Sequence, residues 1–320
     1  MVFLTGITGL VGSFIADFLV HNGYQVKALI RNATNQHYLN PNITFIEGDL
    51  LDPLLLNQEI DGCEYVIHCA AIISFSSNKI NDMMLVNIEG TKNIVNASIL
   101  NKVKKLIHIS SIAAIGRDPK TLTITENAQW TESTLNTNYA KSKYLSELEV
   151  WRGIEEGVDA IILNPSVVLG VGNWNKSSSK LFKYVFDEKP FYTKGNINIV
   201  DVRDLAAIVV KALSSTKTNE RYIVSNAVVT YKSFFDQMAE RFNKKSPQIL
   251  VTPWMAAIAW RIEGIKAFFT QKEPLVTKET AHQSRSAFVY VNEKVIADFN
   301  HQFIPLSDTL DWACKAYLAK

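Results

Sequence analysis

The run Thr5-Gly6-Ile7-Thr8-Gly9-Leu10-Val11-Gly12 constrains the fold more than any other stretch of the chain. It joins a short apolar run, Val2-Phe3-Leu4, to an amphipathic helical pattern that ends near Gly23. Glycine turns a backbone sharply at no steric cost, so the run predicts a tight strand-to-helix turn. The same alternation then repeats. Gln25–Ile30, Ile43–Ile46, Tyr65–Ile67, Lys105–Ile109 and Ala160–Leu163 read as buried strands, the last closed by Pro165. Long helices are predicted over Ile80–Leu100 and Asn138–Glu156. Strands separated by helix-length segments predict a doubly wound parallel sheet covered on both faces.

Beyond Pro165 the texture changes. Residues 173–180 are polar and loop-like, 201–213 and 231–242 read as helices, and Tyr222-Ile223-Val224 as a strand. The expected division is a nucleotide-binding core over 1–164, to which 199–227 returns. A smaller, mostly helical lobe is expected from 165–198 and 228–320. The chain has 320 residues, 47% hydrophobic and 20% charged, enough for a full core and too apolar for disorder. Its 33 basic and 31 acidic side chains form no basic arm or stripe, which argues against nucleic acid as a partner. Three cysteines, odd in number and not at metal-ligand spacing, fit a reduced, cytoplasmic setting. The apolar start lacks a basic n-region and is broken by Gly6, Gly9, Gly12 and Asp17, so it is not read as a signal peptide. No later run is long enough for a membrane span.

Glycines at three-residue spacing before a helix also let a pyrophosphate approach the free N–H groups of that helix's N-terminus. The spacing is GxxGxxG rather than the commoner GxGxxG. An NAD ribose is usually held by an acidic residue about 20 residues beyond the loop. Arg31 stands there, 19 residues after Gly12, with Asn32 beside it. A guanidinium suits the 2′-phosphate of NADP, so NADP is expected, with NAD the alternative.

Tyr139 and Lys143 fall on one helix face. A free phenol titrates near about 10, and a neighbouring ammonium favours the phenolate, as acid–base work near neutrality asks. Spacing alone is weak, since chance supplies about one such pair and Tyr290/Lys294 is a second. Context favours Tyr139, which opens a helix after the strand closed by Ser110-Ser111. Ligands of a doubly wound sheet bind off the carboxyl ends of strands, where a serine can donate to a carbonyl oxygen gaining charge. The six scattered histidines hold no metal-binding spacing, and no metal is expected.

Gly48-Asp49-Leu50, His68-Cys69-Ala70-Ala71, Asn87-Ile88-Glu89-Gly90-Thr91, Asn164-Pro165-Ser166 and Val200-Asp201-Val202-Arg203-Asp204 complete an ordered set of motifs. Together they resemble an extended short-chain dehydrogenase/reductase, a Rossmann-type member of the NAD-dependent epimerase/dehydratase superfamily. The nearest branches are dihydroflavonol 4-reductase-like and 3β-hydroxysteroid dehydrogenase-like. The likeness covers residues 1–227. It implies a cofactor cradle of Gly6, Thr8, Gly9, Leu10, Val11 and Gly12. Asp49 and Leu50 would contact the adenine, Ala70 and Ala71 the adenosine ribose, and Pro165 and Ser166 the nicotinamide. It implies a catalytic set of Ser111, Tyr139 and Lys143, with Asn87 bracing the site, and dimers formed through two helices. Val202 and Asp204 have a plainer reading as helix-start packing and capping.

The sequence departs from the dehydratases at Ile112-Ala113-Ala114, where they carry an acidic pair after the active-site hydroxyl. It departs from the epimerases at Arg31. Arg285 is a weak match to a diphosphate-holding arginine, and the tail from Lys272 resembles the reductase branch. For Trp254, Trp260, Phe268 and Phe269, helical spacing points to core packing for most, with an apolar substrate cleft as the alternative. The expectation is an NADP(H)-dependent reductase of a ketone or aldehyde, or the reverse oxidation. A sugar-nucleotide epimerase and a non-catalytic NADP sensor are the rivals.

Overall fold

The computed structural model describes residues 1–32, 42–74, 76–117, 121–133, 136–258, 260–261 and 287–319. Its first half alternates as expected: β1 (Val2–Thr5), α1 (Leu10–His21), β2 (Val26–Ile30), β3 (Ile43–Glu47), α2 (Pro53–Ile60), β4 (Tyr65–His68), α3 (Ile80–Leu100), β5 (Lys105–Ile109), β6 (Thr123–Ile124), α4 (Asn138–Glu155) and β7 (Ala160–Pro165). There follow β8 (Val167–Leu169), α5 (Ser179–Phe186), β9 (Phe191–Tyr192), β10 (Asn196–Asp201), α6 (Val202–Ser214), β11 (Glu220–Val224), β12 (Ala227–Thr230), α7 (Tyr231–Phe242) and β13 (Ile249–Leu250). Last come β14 (Val289–Tyr290), α8 (Glu293–Phe299) and α9 (Leu306–Leu318).

Seven strands form one sheet in the order β11-β7-β5-β4-β1-β2-β3, with every pairing parallel. Both faces are buried, so alternate residues feed two cores. Leu4, Ile107, Ile109, Ile161 and Leu163 meet α1 and α6 on one face. Phe3, Leu106, Ala160 and Ile162 meet α2, α3 and α4 on the other. The chain leaves β1 for β2 on one side and later returns to β4 on the other. This opens a crevice at the carboxyl ends of those strands. Lys105, at the opposite end of the sheet, donates to the Ala212 and Ser215 carbonyls and closes the C-terminus of α6.

The helical C-terminal portion also carries a three-stranded sheet, β12-β10-β8, that the periodicity did not reveal. Its core joins Ile197 and Ile199 to Phe182, Phe234, Met238, Leu310 and Tyr317. The Val200–Asp204 motif ties this region to the main sheet, and the structure corrects the capping role. Asp201, not Asp204, caps α6 by accepting Arg203 N (2.8 Å), and it also holds Thr309 Oγ1 (2.7 Å). Asp204 instead accepts Ile304 N and His301 Nε2 (3.0 Å), fastening the segment before α9.

The aromatic expectation also changes. Trp254 is 65% exposed and so is not core. Trp260 is half-buried, with the Arg261 guanidinium 4.5 Å from its ring centre. Phe268, Phe269, Lys272 and Arg285 lie outside the described residues. Among the described residues, no helix is long and apolar enough to cross a membrane.

Candidate active site

The glycine run forms a cradle at the carboxyl end of β1. Gly6 has φ +81°, and a Cβ there would stand 2.7 Å from Ala70 N. A Cβ on Gly12 would stand 2.1 Å from Gly6 O, so backbone contact alone demands both glycines. Gly9 differs. Its Cβ would meet only Gly6 O, at 3.3 Å, and it is exposed with Thr8, while Leu10 and Val11 are half-buried. That contact is tight but needs only a few tenths of an ångström of relief, so packing demands glycine less here than at Gly6 or Gly12. Gly9 starts α1 with no side-chain cap and no acidic residue in the first turn. The N–H groups of that turn are therefore open to an anion. The residues present fit a dinucleotide pyrophosphate.

A buried polar chain ties the cradle to the next strand and to α3. Thr5 Oγ1 accepts Cys69 N and Ala70 N, both at 3.2 Å, so its own proton goes to His68 Nδ1 (2.8 Å). His68 Nε2 then carries the imidazole proton and donates to Thr91 Oγ1 (3.0 Å), which donates to Asn87 O (2.6 Å). Burial, reinforced by the Lys143 charge, holds the His68 pKa down to about 3, in keeping with a neutral ring.

The remaining cofactor candidates lie along the same edge. Arg31 is exposed just past β2. Asp49 caps its own turn by accepting Leu51 N (2.9 Å), and Leu50 is buried against α3 at Gly90. Ala70 touches Gly6, while Ala71 is exposed. Pro165 ends β7, and Ser166 presents a buried hydroxyl with no protein partner among the described residues.

On the other side of the crevice, Thr137 caps α4 through Ala140 N (3.0 Å), which fixes where the helix begins. Tyr139, Lys143 and Glu147 then follow at one-turn intervals. Ser111, just past β5, is hydrogen-bonded to Tyr139, and its Oγ also accepts Ala113 N (3.1 Å). Lys143 Nζ donates to Ile109 O (3.0 Å) at the end of β5. Asn87 knits α3 to α4. Its amide holds both polar groups of Ile72 and donates to Ser142 Oγ (3.0 Å), while its carbonyl accepts Ser146 Oγ (2.7 Å). Ser142 Oγ in turn donates to Tyr139 O (2.8 Å), so the Asn87 amide is tied to the backbone of Tyr139 through that hydroxyl.

The electrostatics differ in one respect from the expected phenol–ammonium pairing. Burial pushes the Tyr139 phenol up to about 12, against a smaller lowering by the Ser111 hydrogen bond. Lys143 is turned toward Ile109 O. Burial also lowers the Lys143 ammonium to about 8, opposed by Glu147 and then Cys69, while burial drives the Cys69 thiol up to about 12. Tyr139 thus keeps its proton throughout the neutral range.

Two buried groups escaped the sequence reading. Glu147 is 1% exposed, accepts from Asn164 Nδ2 and pairs with Arg221 Nη1 at 3.3 Å. Asn164 Nδ2 also donates to Ser111 O (2.8 Å). The signal for Glu147 was its place four residues after Lys143, on the stripe that buries Ser146 and Val150. The rival Tyr290/Lys294 pair is separated. Tyr290 is buried in β14, while Lys294 lies in α8 and bonds Glu220 Oε2 (2.6 Å) and Arg221 O (2.8 Å).

Residues 2–225 match the model of the NAD dependent epimerase/dehydratase family. A cinnamoyl-CoA reductase 2 of Arabidopsis thaliana is 29% identical over 260 residues, covering 76% of this chain and 77% of that protein. The decarboxylating sterol-4-alpha-carboxylate 3-dehydrogenase of Dictyostelium discoideum is 28% identical over 324 residues, covering 92% and 93%. The crystal structure of the Bordetella bronchiseptica enzyme WbmH in complex with NAD+ superposes with a TM-score of 0.78. It is 26% identical and covers 100% of this chain and 98% of that one.

Proposed function

Because the chain belongs to the NAD dependent epimerase/dehydratase family and is an NAD(P)-dependent oxidoreductase of the extended short-chain type, we propose that it reduces a ketone or aldehyde with NADPH. One observation carries this reading: Ser111, hydrogen-bonded to Tyr139, and the glycine cradle follow the carboxyl ends of two strands, β5 and β1, of one parallel sheet. The bound dinucleotide would supply the hydride. Ser111 would orient the carbonyl oxygen by donating to it, and Tyr139 would deliver the proton that converts it to the alcohol. A phenol held at about 12 carries its proton near neutrality, the state that carbonyl reduction asks of it. Lys143 would bind the nicotinamide ribose and stabilise the phenolate left after proton transfer, Ser166 would meet the nicotinamide end, and Asn87 would hold α4 in place.

The preference for NADPH rests on Arg31. Replacing Arg31 by Ala should raise the KM for NADPH about tenfold or more and spare that for NADH, in line with losing a charge-assisted phosphate contact. Equal losses for both cofactors in steady-state kinetics would remove the phosphate role. The general test is a panel of ketones and aldehydes with NADPH absorbance as readout. A sugar-nucleotide epimerase would instead show no net change in that absorbance. Arg31 and the apolar Ile112-Ala113-Ala114 after Ser111 speak against the epimerase and dehydratase chemistries respectively.

In this reading residues 1–164, with 199–227, bind the cofactor, and 165–198 with 228–320 select the substrate. Two exposed leucines, Leu85 on α3 (49%) and Leu148 on α4 (43%), support a homodimer formed through these helices. Sedimentation velocity should then report twice the 35.9 kDa chain mass, and a monomer at micromolar concentration would exclude the dimer.

A further inference from the structure

We propose that Glu147 is a positioning residue of this active site, a buried carboxylate that keeps Lys143 in its ammonium form and, through Asn164, fixes Ser111. The inference rests on the reductase reading for its catalytic meaning, and on the geometry for its substance. Tyr139, Lys143 and Glu147 occupy successive turns of α4 on the face that meets the sheet. Lys143 is buried, and a backbone carbonyl, Ile109 O, receives its proton. A carbonyl dipole offsets little of what burial costs a full charge, so an opposite charge nearby decides whether the amine stays protonated.

Among the described residues, few titratable groups surround Lys143. Tyr139 and Glu147 lie one helical turn away on α4, His68 and Cys69 at the end of β4, and His108 on β5. Both imidazoles are held neutral by burial, and the Cys69 thiol is held protonated at neutral pH. Tyr139 keeps its proton as well. Glu147 is therefore the anion of this group. On its other side Oε1 accepts Asn164 Nδ2 and Oε2 pairs with Arg221. Arg221 is in turn anchored on the Glu126 and Ala128 carbonyls. The Asn164 amide that donates to Glu147 also donates to Ser111 O, so one carboxylate governs the charge of Lys143 and the seat of Ser111.

The test is the lysine titration of the full-length protein carrying 13Cε-labelled lysine, with the Lys143 signal assigned from its loss in Lys143→Met. In Glu147→Gln the shape of the side chain is kept and the charge is removed. The Lys143 midpoint, about 8 in the native protein, should fall by about one pH unit or more. Glu147→Asp, which keeps the charge, should restore most of it. The decline of kcat/KM for carbonyl reduction with rising pH should move down by the same interval. The double variant Glu147→Gln/Arg221→Gln removes the Arg221 charge that the single variant would leave without its carboxylate, and covers the case in which the single variant folds poorly. The same fall is expected in it. A Lys143 midpoint that is unmoved or raised, with or without a lower Tm, would overturn the proposal and leave Glu147 a structural group. The titration needs neither substrate nor cofactor. If no carbonyl is reduced yet the midpoint falls, the reductase reading fails while the role of Glu147 stands.

Discussion

Replacing Tyr139 by Phe should abolish carbonyl reduction while leaving NADPH affinity and Tm close to those of the native protein. Neither the helix cap set by Thr137 nor the buried chain from Thr5 to Asn87 runs through the phenol hydroxyl. Its hydrogen bond is to Ser111, a residue of the same constellation. Loss of a positioned general acid lowers kcat by about 10²–10⁴-fold, and a phenyl ring offers no substitute donor. Steady-state kinetics and a fluorescence titration of NADPH separate the two quantities. Turnover retained within tenfold would assign proton transfer elsewhere. A parallel collapse of NADPH binding would mean that Tyr139 serves the cradle rather than the chemistry.

The second large effect comes from the glycines, and the two positions should behave differently. In Gly12→Ala the new methyl would stand 2.1 Å from Gly6 O and 2.6 Å from Gly6 C. Those are backbone atoms of the turn itself, so the turn must open or α1 must lift from the sheet. A loss of about 1–3 kcal/mol in stability, together with loss of cofactor binding, is expected from such overpacking. In Gly9→Ala the added methyl meets only Gly6 O at 3.3 Å, so the fall in Tm should be clearly smaller than in Gly12→Ala. Cofactor affinity should nonetheless drop about tenfold or more, because the methyl occupies the space through which the pyrophosphate reaches the first turn of α1. A Gly9→Ala protein that binds NADPH normally would show that the cradle holds something else.

Much of this was legible in the amino-acid sequence because local pattern and final burial coincide. The helices over 80–100 and 231–242 and the strand over 105–109 begin and end where their apolar periodicity does. The strands of the main sheet are apolar on both faces, as a sheet covered on both sides demands. The three-stranded sheet was not legible, for physical reasons that can be named. Val167–Leu169 follows Pro165 after a single residue and so reads as the tail of the preceding strand. Asn198 interrupts Ile197 and Ile199, and its amide finds partners in Phe288 O and Tyr290 N, some ninety residues away.

The site divides in the same way. Residues set by local geometry, such as the glycine turn and the one-turn spacing of Tyr139 and Lys143, announce themselves. Glu147 looks like one more solvated helix charge until Asn164 and Arg221, on neighbouring strands of the folded sheet, close over it. The direction of the Tyr139 shift was likewise hidden. Spacing places an ammonium one turn away, but only the fold shows that Lys143 points to Ile109 O and that burial governs the phenol.

The central claim is that the Tyr139 hydroxyl and the glycine cradle serve one bound dinucleotide. A crystal structure of the chain grown with NADP+ tests it most directly. The pyrophosphate should rest on the N–H groups at the start of α1, and the 2′-phosphate should lie against Arg31. The nicotinamide ring should be close enough to Tyr139 for a carbonyl carbon to sit about 3–3.5 Å from its reactive face while the oxygen meets the phenol. A dinucleotide bound elsewhere, or one whose nicotinamide is directed away from Tyr139, would contradict the account.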